Sequence, residues 1–289
     1  MSNQAILQIV ISSVCILFLT SCSHNRLSVG ISSVFIESRV EALNREDDLA
    51  KVRRQLPENI RQLESMLAVD RSNKKLHIYA AQAYYSYAFA FLEDRNRQRA
   101  SQFYYRSYQH ARAALALYGV SVADLQGRTP QLQKKLNRLN RQSVSALYWT
   151  ALSWAKVIEV KQPDLLLSTQ LHKTAILMQQ VQKFDESYHL GGPYLFFAVY
   201  YGSRPFYLGG NDYLASQYFE QARRFNQNRL LMVDYLQARY LNGRMSGQAK
   251  FNHRLMSIIE APDDLYPEQA LMNAVAKHKA EWLLSLSHG

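Results

Sequence analysis

The chain has 289 residues, of which 48% are hydrophobic, while only 11 are Gly and 7 are Pro. This composition supplies a large core, favours long helices joined by short turns, and argues against a β sandwich or barrel. The formal net charge of +11 favours anionic partners without choosing among lipid head groups, nucleic acid and acidic ligands. Both cysteines, Cys15 and Cys22, lie near the N-terminus, which excludes a disulfide or a cysteine-ligated metal site in the rest of the chain.

An apolar run at residues 5–19 opens the chain. It is shorter than the ~20 residues of a membrane-spanning helix but suits the hydrophobic region of an export signal. It runs into Leu-Thr-Ser-Cys at residues 19–22, which resembles the lipobox of bacterial lipoproteins. No Lys or Arg precedes the run, as one would in most export signals, so an uncleaved N-terminal anchor is the alternative.

The lipobox resemblance implies a signal peptide at residues 1–21 that is removed by cleavage before Cys22. It further implies that Cys22 is lipidated and that residues 22–33 form a tether between the lipid and the folded domain. Ser23 follows the cysteine. In lipoproteins this resembles the default for the outer membrane, because the Asp that usually retains a lipoprotein in the inner membrane is absent.

Helical periodicity dominates from residue 34 onward, so the sequence predicts one all-α domain over residues 34–289. The residues Gly127 to Pro130 separate two halves of this domain. The predicted helices cover residues 34–54, 58–69, 74–93, 97–118, 143–160, 164–182, 192–204, 211–226, 228–243, 247–260 and 266–287.

Parts of two predicted hairpins match the tetratricopeptide pattern, in which small residues let paired helices approach and aromatic residues fill the space beside them. The matching positions are Tyr84, Tyr87, Ala88, Phe91, Ala100, Tyr104 and Ser107, and then Ala215, Phe219 and Ala222. Other segments match poorly. The pattern predicts antiparallel, tetratricopeptide-like helical hairpins in a compact or superhelical array.

A set of Gly and Pro motifs between residues 188 and 222 resembles the T component of tripartite ATP-independent periplasmic (TRAP) transporters, the TatT family. The motifs are Tyr-His-Leu-Gly-Gly-Pro-Tyr-Leu at 188–195, Tyr-Gly-Ser-Arg-Pro at 201–205 and Leu-Gly-Gly at 208–210. Their motif residues are Gly191, Gly192, Pro193, Ser203, Pro205, Gly209 and Gly210. Segments 84–93 and 106–117 and the final helix agree, so the resemblance covers about residues 40–287.

This resemblance implies a lipid-anchored, periplasmic, tetratricopeptide-like protein that assists solute uptake. It implies association with a periplasmic solute-binding subunit, a homotrimer, and a hydrophobic cleft or pore for a small hydrophobic or anionic ligand. The glycine pairs have a structural interpretation first, as conformations open only to Gly or as points of close helix packing.

The candidate residues for ligand or partner binding are mainly aromatic, because Tyr and Trp offer an apolar face with a polar end. They are Tyr84, Tyr87, Tyr104, Trp149, Trp154 and Tyr201, together with Arg204. The alternative for the aromatic residues is the helix core. Arg204 either hydrogen-bonds backbone carbonyls at a helix end or binds a ligand carboxylate with its guanidinium.

The chain carries no HExxH, GxSxG, P-loop or GxGxxG motif. We therefore expect a binding protein, not an enzyme, with no cofactor, no metal and no nucleic-acid partner. A scaffold lipoprotein for cell-envelope proteins is the alternative, and a cell-wall enzyme would need an isolated Glu or Asp with a raised pKa in an apolar cleft. The basic residues Lys134, Arg138 and Arg141 are predicted to share one helical face, as a solvated surface or a contact for anionic lipid or an acidic partner.

Overall fold

The structure is a computed structural model that describes residues 36–160, 169–242 and 247–286. These ranges contain thirteen helices and no strand, which confirms the predicted all-α fold. The predicted signal peptide, Cys22 and the tether lie outside the described residues and stay predictions. The helices are α1 (36–44), α2 (Leu49–Val69), α3 (Lys74–Tyr87), α4 (Arg97–Ala116), α5 (Val122–Gln126), α6 (Thr129–Leu136), α7 (Val144–Val160), α8 (Leu171–Phe184), α9 (Tyr188–Gly202), α10 (Asp212–Asn226), α11 (Leu231–Gln237), α12 (Gln248–Ile259) and α13 (Ala270–Leu286).

The predicted break between residues 54 and 58 is wrong, because α2 runs straight through Pro57. Asp48 sets the start of α2 instead, since its side chain accepts hydrogen bonds from the backbone N–H groups of Ala50 and Lys51. An apolar stripe at helical spacing holds the helix on its neighbours across the proline. The buried members of this stripe are Val52, Leu56, Ile60, Leu63 and Leu67.

The segment predicted as a divider between two halves contains two short helices, α5 and α6. Ser121 begins α5 with a capping box, in which its hydroxyl and the Asp124 carboxylate each bond the other's backbone N–H. Pro130 lies in the first turn of α6, where a missing N–H costs nothing. Both helices bury leucines in the main hydrophobic core, so the segment is part of the domain and does not divide it.

The predicted basic helical face is also wrong. Lys134 lies in α6, but this helix ends at Leu136, so Arg138 and Arg141 lie beyond it. Arg141 instead donates to the Asp185 carboxylate, at a distance of 3.0 Å. The basic residues are therefore distributed over a helix and the turn that follows it.

Consecutive helices pack against one another along most of the chain. α3 packs on α4, α4 on α7, α7 on α8, α8 on α9 and α9 on α10, while α11 and α12 both pack on α13. α13 also packs on α2, which brings the two ends of the described chain together. The small and aromatic residues of the repeat pattern lie in these contacts, and seven are fully buried: Ala88, Ala100, Tyr104, Ser107, Ala215, Phe219 and Ala222. The tetratricopeptide-like geometry of the pairs stays a prediction.

Two of the helices continue into a π-helical turn. Ala88–Leu92 extends α3 and Ala238–Asn242 extends α11. Such turns widen the backbone and leave carbonyl groups free for other donors. The Phe89 carbonyl accepts a hydrogen bond from the Lys279 Nζ atom at 2.8 Å, so the first π-helical turn connects α3 with α13.

Candidate ligand-binding cavity

A cavity of about 1290 Å³ lies between the packed helices. Its wall is formed chiefly by α1, α2, α3, α7, α9, α11 and α13. Most of the lining is apolar, and its larger members include Leu56, Met66, Leu152, Leu195, Phe196, Val199, Leu236 and Met272. Pockets for drug-sized ligands usually enclose ~300–1,000 Å³, so this cavity has room for a small organic molecule.

A left-handed turn at the start of α9 shapes one wall of the cavity. His189, Leu190 and Gly191 have φ angles of 50°, 59° and 84°. Gly191 adopts this conformation without strain, whereas a left-handed conformation costs roughly 1–2 kcal/mol for each of the other two residues. The turn places the accessible side chain of His189 in the wall of the cavity.

The next glycine allows an aromatic ring to lie directly on the backbone of α9. A Cβ atom at Gly192 would stand 2.7 Å from the hydroxyl of Tyr148, and one at Gly191 would stand 2.7 Å from the ring of Phe225. Both distances are shorter than contacts between real side chains. The glycine pair therefore fixes α9 close to α7 on one side and close to α10 on the other.

Four aromatic rings form a continuous wall beside this turn. The ring of His189 lies nearly parallel to that of Tyr148 at 5.2 Å between centroids, and the edge of Trp149 contacts both. Tyr85 reaches the same tryptophan from α3, with a centroid distance of 5.6 Å. Although the His189 side chain is accessible from the cavity, desolvation by the surrounding protein lowers its pKa to about 4. Desolvation likewise raises the pKa values of Tyr85 and Tyr148, so all three are uncharged at neutral pH.

A cluster of ionic side chains lies next to this aromatic wall. Glu93 is 2.9 Å from the Lys279 ammonium and 3.1 Å from that of Lys156, and Tyr104 donates to it at 2.6 Å. Burial alone would raise the pKa of Glu93, but the neighbouring cations hold it well below its ordinary value. A buried glutamate with a lowered pKa is the opposite of what the cell-wall enzyme alternative requires.

Arg204 fastens the loop that follows α9. Its guanidinium donates to the carbonyls of Tyr200, Leu208 and Gly209 at 2.8, 3.1 and 3.2 Å, and it stacks 3.8 Å above the ring of Tyr200. Gly209 has a φ of 82°, and a Cβ atom at Gly210 would overlap the Arg204 carbonyl. The loop is thus closed by backbone contacts at the edge of the cavity, which Arg204 also lines.

The comparison with protein families decides which family this architecture represents. The family described as TRAP transporter T-component matches residues 45–288. The chain belongs to this family. A search of curated proteins found no match. Family membership makes the chain an accessory component of TRAP transport, in a family defined by transport and not by a known enzymatic activity.

Two further properties of this T-component concern the described residues. None of the helices in ranges 36–160, 169–242 and 247–286 is both long enough and apolar enough to cross a membrane. In the same ranges, no three His, Cys, Asp or Glu side chains are grouped as a metal site would require.

The cavity brings together only some of the residues predicted to bind a ligand or partner. Trp149 and Arg204 line it, as do the motif residues Gly192 and Ser203. The other predicted residues pack elsewhere. The Tyr84 hydroxyl donates to Glu64, the Tyr104 hydroxyl donates to Glu93, and the rings of Tyr87, Trp154 and Tyr201 lie against Phe103, Tyr108 and Tyr218. Pro193 is buried in α9, and the Pro205 carbonyl accepts from the N–H of Gly210.

Sequence reasoning missed three residues of the aromatic wall, namely Tyr85, Tyr148 and His189. Tyr85 is next to Tyr84 in α3, and side chains at neighbouring helix positions point about 100° apart. The pair therefore predicts that one aromatic ring faces the core, but not which one. His189 precedes Gly191, whose presence predicted a turn. The sequence contains no signal that this turn begins at His189, two residues before the glycine.

Proposed function

We propose that this T-component is a lipid-anchored periplasmic accessory protein of a TRAP-type uptake system that holds a small apolar molecule in its cavity. In this role it associates with the solute-binding subunit, and the molecule is transferred between the two proteins in one direction or the other. The observation that carries the proposal is an apolar cavity of about 1290 Å³ in a chain that belongs to the T-component family.

The lining favours an apolar ligand over an anionic one. Five basic side chains lie in the wall. Lys156 is 3.1 Å from Glu93 and 3.0 Å from Glu159, and Arg61 is paired with Glu58. Arg97 donates to the carbonyls of Glu159 and Val160, and Arg204 donates to three carbonyls. Arg39 likewise donates to the side chains of Asn59 and Gln62. These cations already have ion-pair or hydrogen-bond partners within the protein. The apolar lining, in contrast, contributes favourably to the free energy of binding when a ligand removes it from water.

The position of α1 supports attachment to a membrane through the preceding residues. Glu37 lies beside Lys75 and Tyr79, near the start of α3, whereas Arg204 lies just beyond the end of α9. The fourteen residues 22–35, which precede Ile36, would reach at most ~45–50 Å if fully extended. In this proposal the Arg204 end, with the adjacent edge of the cavity, faces away from the membrane and toward the soluble subunit.

Binding of the fluorescent apolar probe 1-N-phenylnaphthylamine to residues 23–289 tests the ligand-binding part. We expect saturable binding of one probe per chain. Ala155→Trp should abolish it by filling the cavity, and Ala83→Trp should do so from another wall. Ala116 is exposed on α4 and does not line the cavity, so Ala116→Trp is the matched control and should bind normally. Binding that all three substitutions leave unchanged would contradict the proposal.

The anchoring and partner parts have separate tests in cells. We expect the full chain to incorporate labelled palmitate and to sediment with membranes, and Cys22→Ala to lose both properties. Crosslinking of the full chain in the intact envelope should capture a TRAP solute-binding subunit, identified by mass spectrometry. A chain that is crosslinked only to envelope-assembly proteins would favour the scaffold alternative.

A further inference from the structure

We infer that the cavity selects an uncharged amphiphile, a molecule with an apolar body and one hydroxyl or carbonyl group that hydrogen-bonds to Tyr85, Tyr148 and His189. The inference rests on the proposed function, because it names the chemical class of ligand that the cavity would take. It adds a polar recognition site to a cavity whose lining is mostly apolar.

The first observation is that these three side chains have hydrogen-bonding atoms without partners. Neither the hydroxyls of Tyr85 and Tyr148 nor the imidazole of His189 hydrogen-bonds to a residue that the structure describes. Polar groups are nearly always hydrogen-bonded once they lose contact with water, so a ligand that displaces water from these side chains must supply the hydrogen bonds itself. Other tyrosines of the domain follow this rule, since Tyr84 and Tyr104 each donate to a carboxylate.

The second observation is that the three groups belong to one wall. All three line the cavity, and all three rings contact Trp149, with centroid distances between 5.3 and 5.6 Å. Apolar residues such as Leu152 and Phe196 line the cavity around them. A molecule whose body fills the apolar space can thus place one polar group against this wall.

The third observation concerns charge. The pKa of His189 is lowered by burial alone, and no charged side chain of the described chain contributes to the shift. The neutral imidazole offers one donor and one acceptor, and each tyrosine hydroxyl can do both. Lys156 lines the same cavity and lowers the pKa of Tyr85 against the larger effect of burial, but it is already paired with Glu93 and Glu159. An ionised carboxylate at this position would therefore lose its hydration without gaining an unpaired counterion, so the site favours an uncharged group.

The fourth observation is the backbone that presents the imidazole. His189 and Leu190 are held in left-handed conformations, which non-glycine residues adopt at a cost in free energy. Such strained residues concentrate at binding sites, where the surrounding structure fixes them. Here the strained turn places the one histidine of α9 in the cavity wall, and Gly192 leaves room for Tyr148 to approach the same helix closely.

Displacement of bound 1-N-phenylnaphthylamine by three probes of equal chain length tests the inference at pH 7.5. The probes are decan-1-ol, 1-fluorodecane, which resembles the alcohol but cannot donate a hydrogen bond, and decanoate, which is ionised. We expect decan-1-ol to bind about tenfold more tightly than either of the others, since a single net hydrogen bond is worth roughly that factor. Tyr148→Phe and His189→Leu should each remove most of this preference while leaving the affinity for 1-fluorodecane unchanged.

Tyr84→Phe is the matched control, because it removes a hydroxyl from the residue next to Tyr85 that bonds Glu64 outside the cavity. It should keep the full preference for the alcohol. Equal binding of alcohol and fluoride by the wild type, or tightest binding of decanoate, would overturn the inference while leaving the cavity proposal intact. Failure of the fluorescent probe itself to bind would instead overturn both. Tyr148→Phe keeps the aromatic ring and removes only the hydroxyl. It therefore tests the inference even if His189→Leu fails to fold.

Discussion

Replacing Glu93 with Gln should destabilise the domain more than any substitution of a surface carboxylate. The side chain of Glu93 is 6% exposed, and it faces the ammonium group of Lys279, which is 1% exposed, and that of Lys156. Removing one partner of a buried ion pair usually costs ~3–5 kcal/mol, because the other charge stays buried. We expect about 3 kcal/mol, the lower end of that range, because Asp94 and Glu159 remain beside the two lysines.

Urea unfolding of Glu93→Gln and wild type at several pH values measures this effect. A loss of about 3 kcal/mol should lower the midpoint with an unchanged slope, and it should lower Tm by roughly 6–12 °C. The pKa of Glu93 is lowered in the folded state, so its contribution is complete above its unfolded pKa of ~4.3 and disappears as the pH falls through the folded value. The difference between the two proteins should therefore be constant from pH 5 to 8 and narrow below pH ~4.

Glu281→Gln is the control, because its side chain is 58% exposed and it should change the stability by less than about 0.5 kcal/mol. A destabilisation of Glu93→Gln below about 1 kcal/mol at pH 7 would refute the reasoning. A difference that does not narrow in acid would show that packing, and not the charge of Glu93, holds this region together.

Three other substitutions test the packing around the cavity. Gly192→Ala should cost about 1–3 kcal/mol in urea unfolding, because its Cβ would meet the Tyr148 ring. Gly247→Ala meets no atom within 4 Å and should cost less than about 1 kcal/mol, the loss expected when Ala replaces Gly at a helix N-cap. Equal stabilities of the two variants would contradict the close packing at Gly192. Arg204→Lys replaces the planar guanidinium, which bonds three carbonyls, with a single ammonium group. Amide hydrogen exchange over residues 205–211 should therefore become faster. Unchanged exchange would argue against the role of Arg204 in the loop. Lys173→Met removes the ammonium group that donates to three carbonyls at the end of α5. It should lower the free energy of unfolding by about 2 kcal/mol. An unchanged thermal midpoint would rule out this contribution.

The helical fold could be predicted because its signals are local. Asn96 precedes a predicted helix and Asn211 is the first residue of another, and in the structure each side chain accepts a hydrogen bond from a backbone N–H of the first turn. The errors occur where a local signal competes with packing. Pro57 indicated a break, but the buried apolar stripe of α2 and the cap at Asp48 outweigh the single hydrogen bond that a proline removes. The short helices α5 and α6 contain too few residues for a periodic pattern to emerge.

From the sequence, the cavity could be predicted only to the extent that aromatic residues were available to line it. Which member of a Tyr–Tyr pair faces inward depends on the rotation of α3 about its axis, which its contacts with α2, α4 and α7 determine. The ionic cluster depends on residues that are far apart in the chain, since Glu93 and Lys279 meet only when α13 returns to α3. The left-handed conformation of His189 is enforced by its surroundings against its own preference, so no residue pattern announces it.

Native mass spectrometry of the chain released from its own envelope in mild detergent tests the central claim most directly. We predict that the wild-type chain carries one apolar molecule of low molecular mass, which is extracted by organic solvent and is absent from Ala155→Trp but present in Ala116→Trp. A wild-type chain whose mass corresponds to the lipidated polypeptide alone, with no additional molecule, would contradict the claim that this T-component holds a ligand in its cavity.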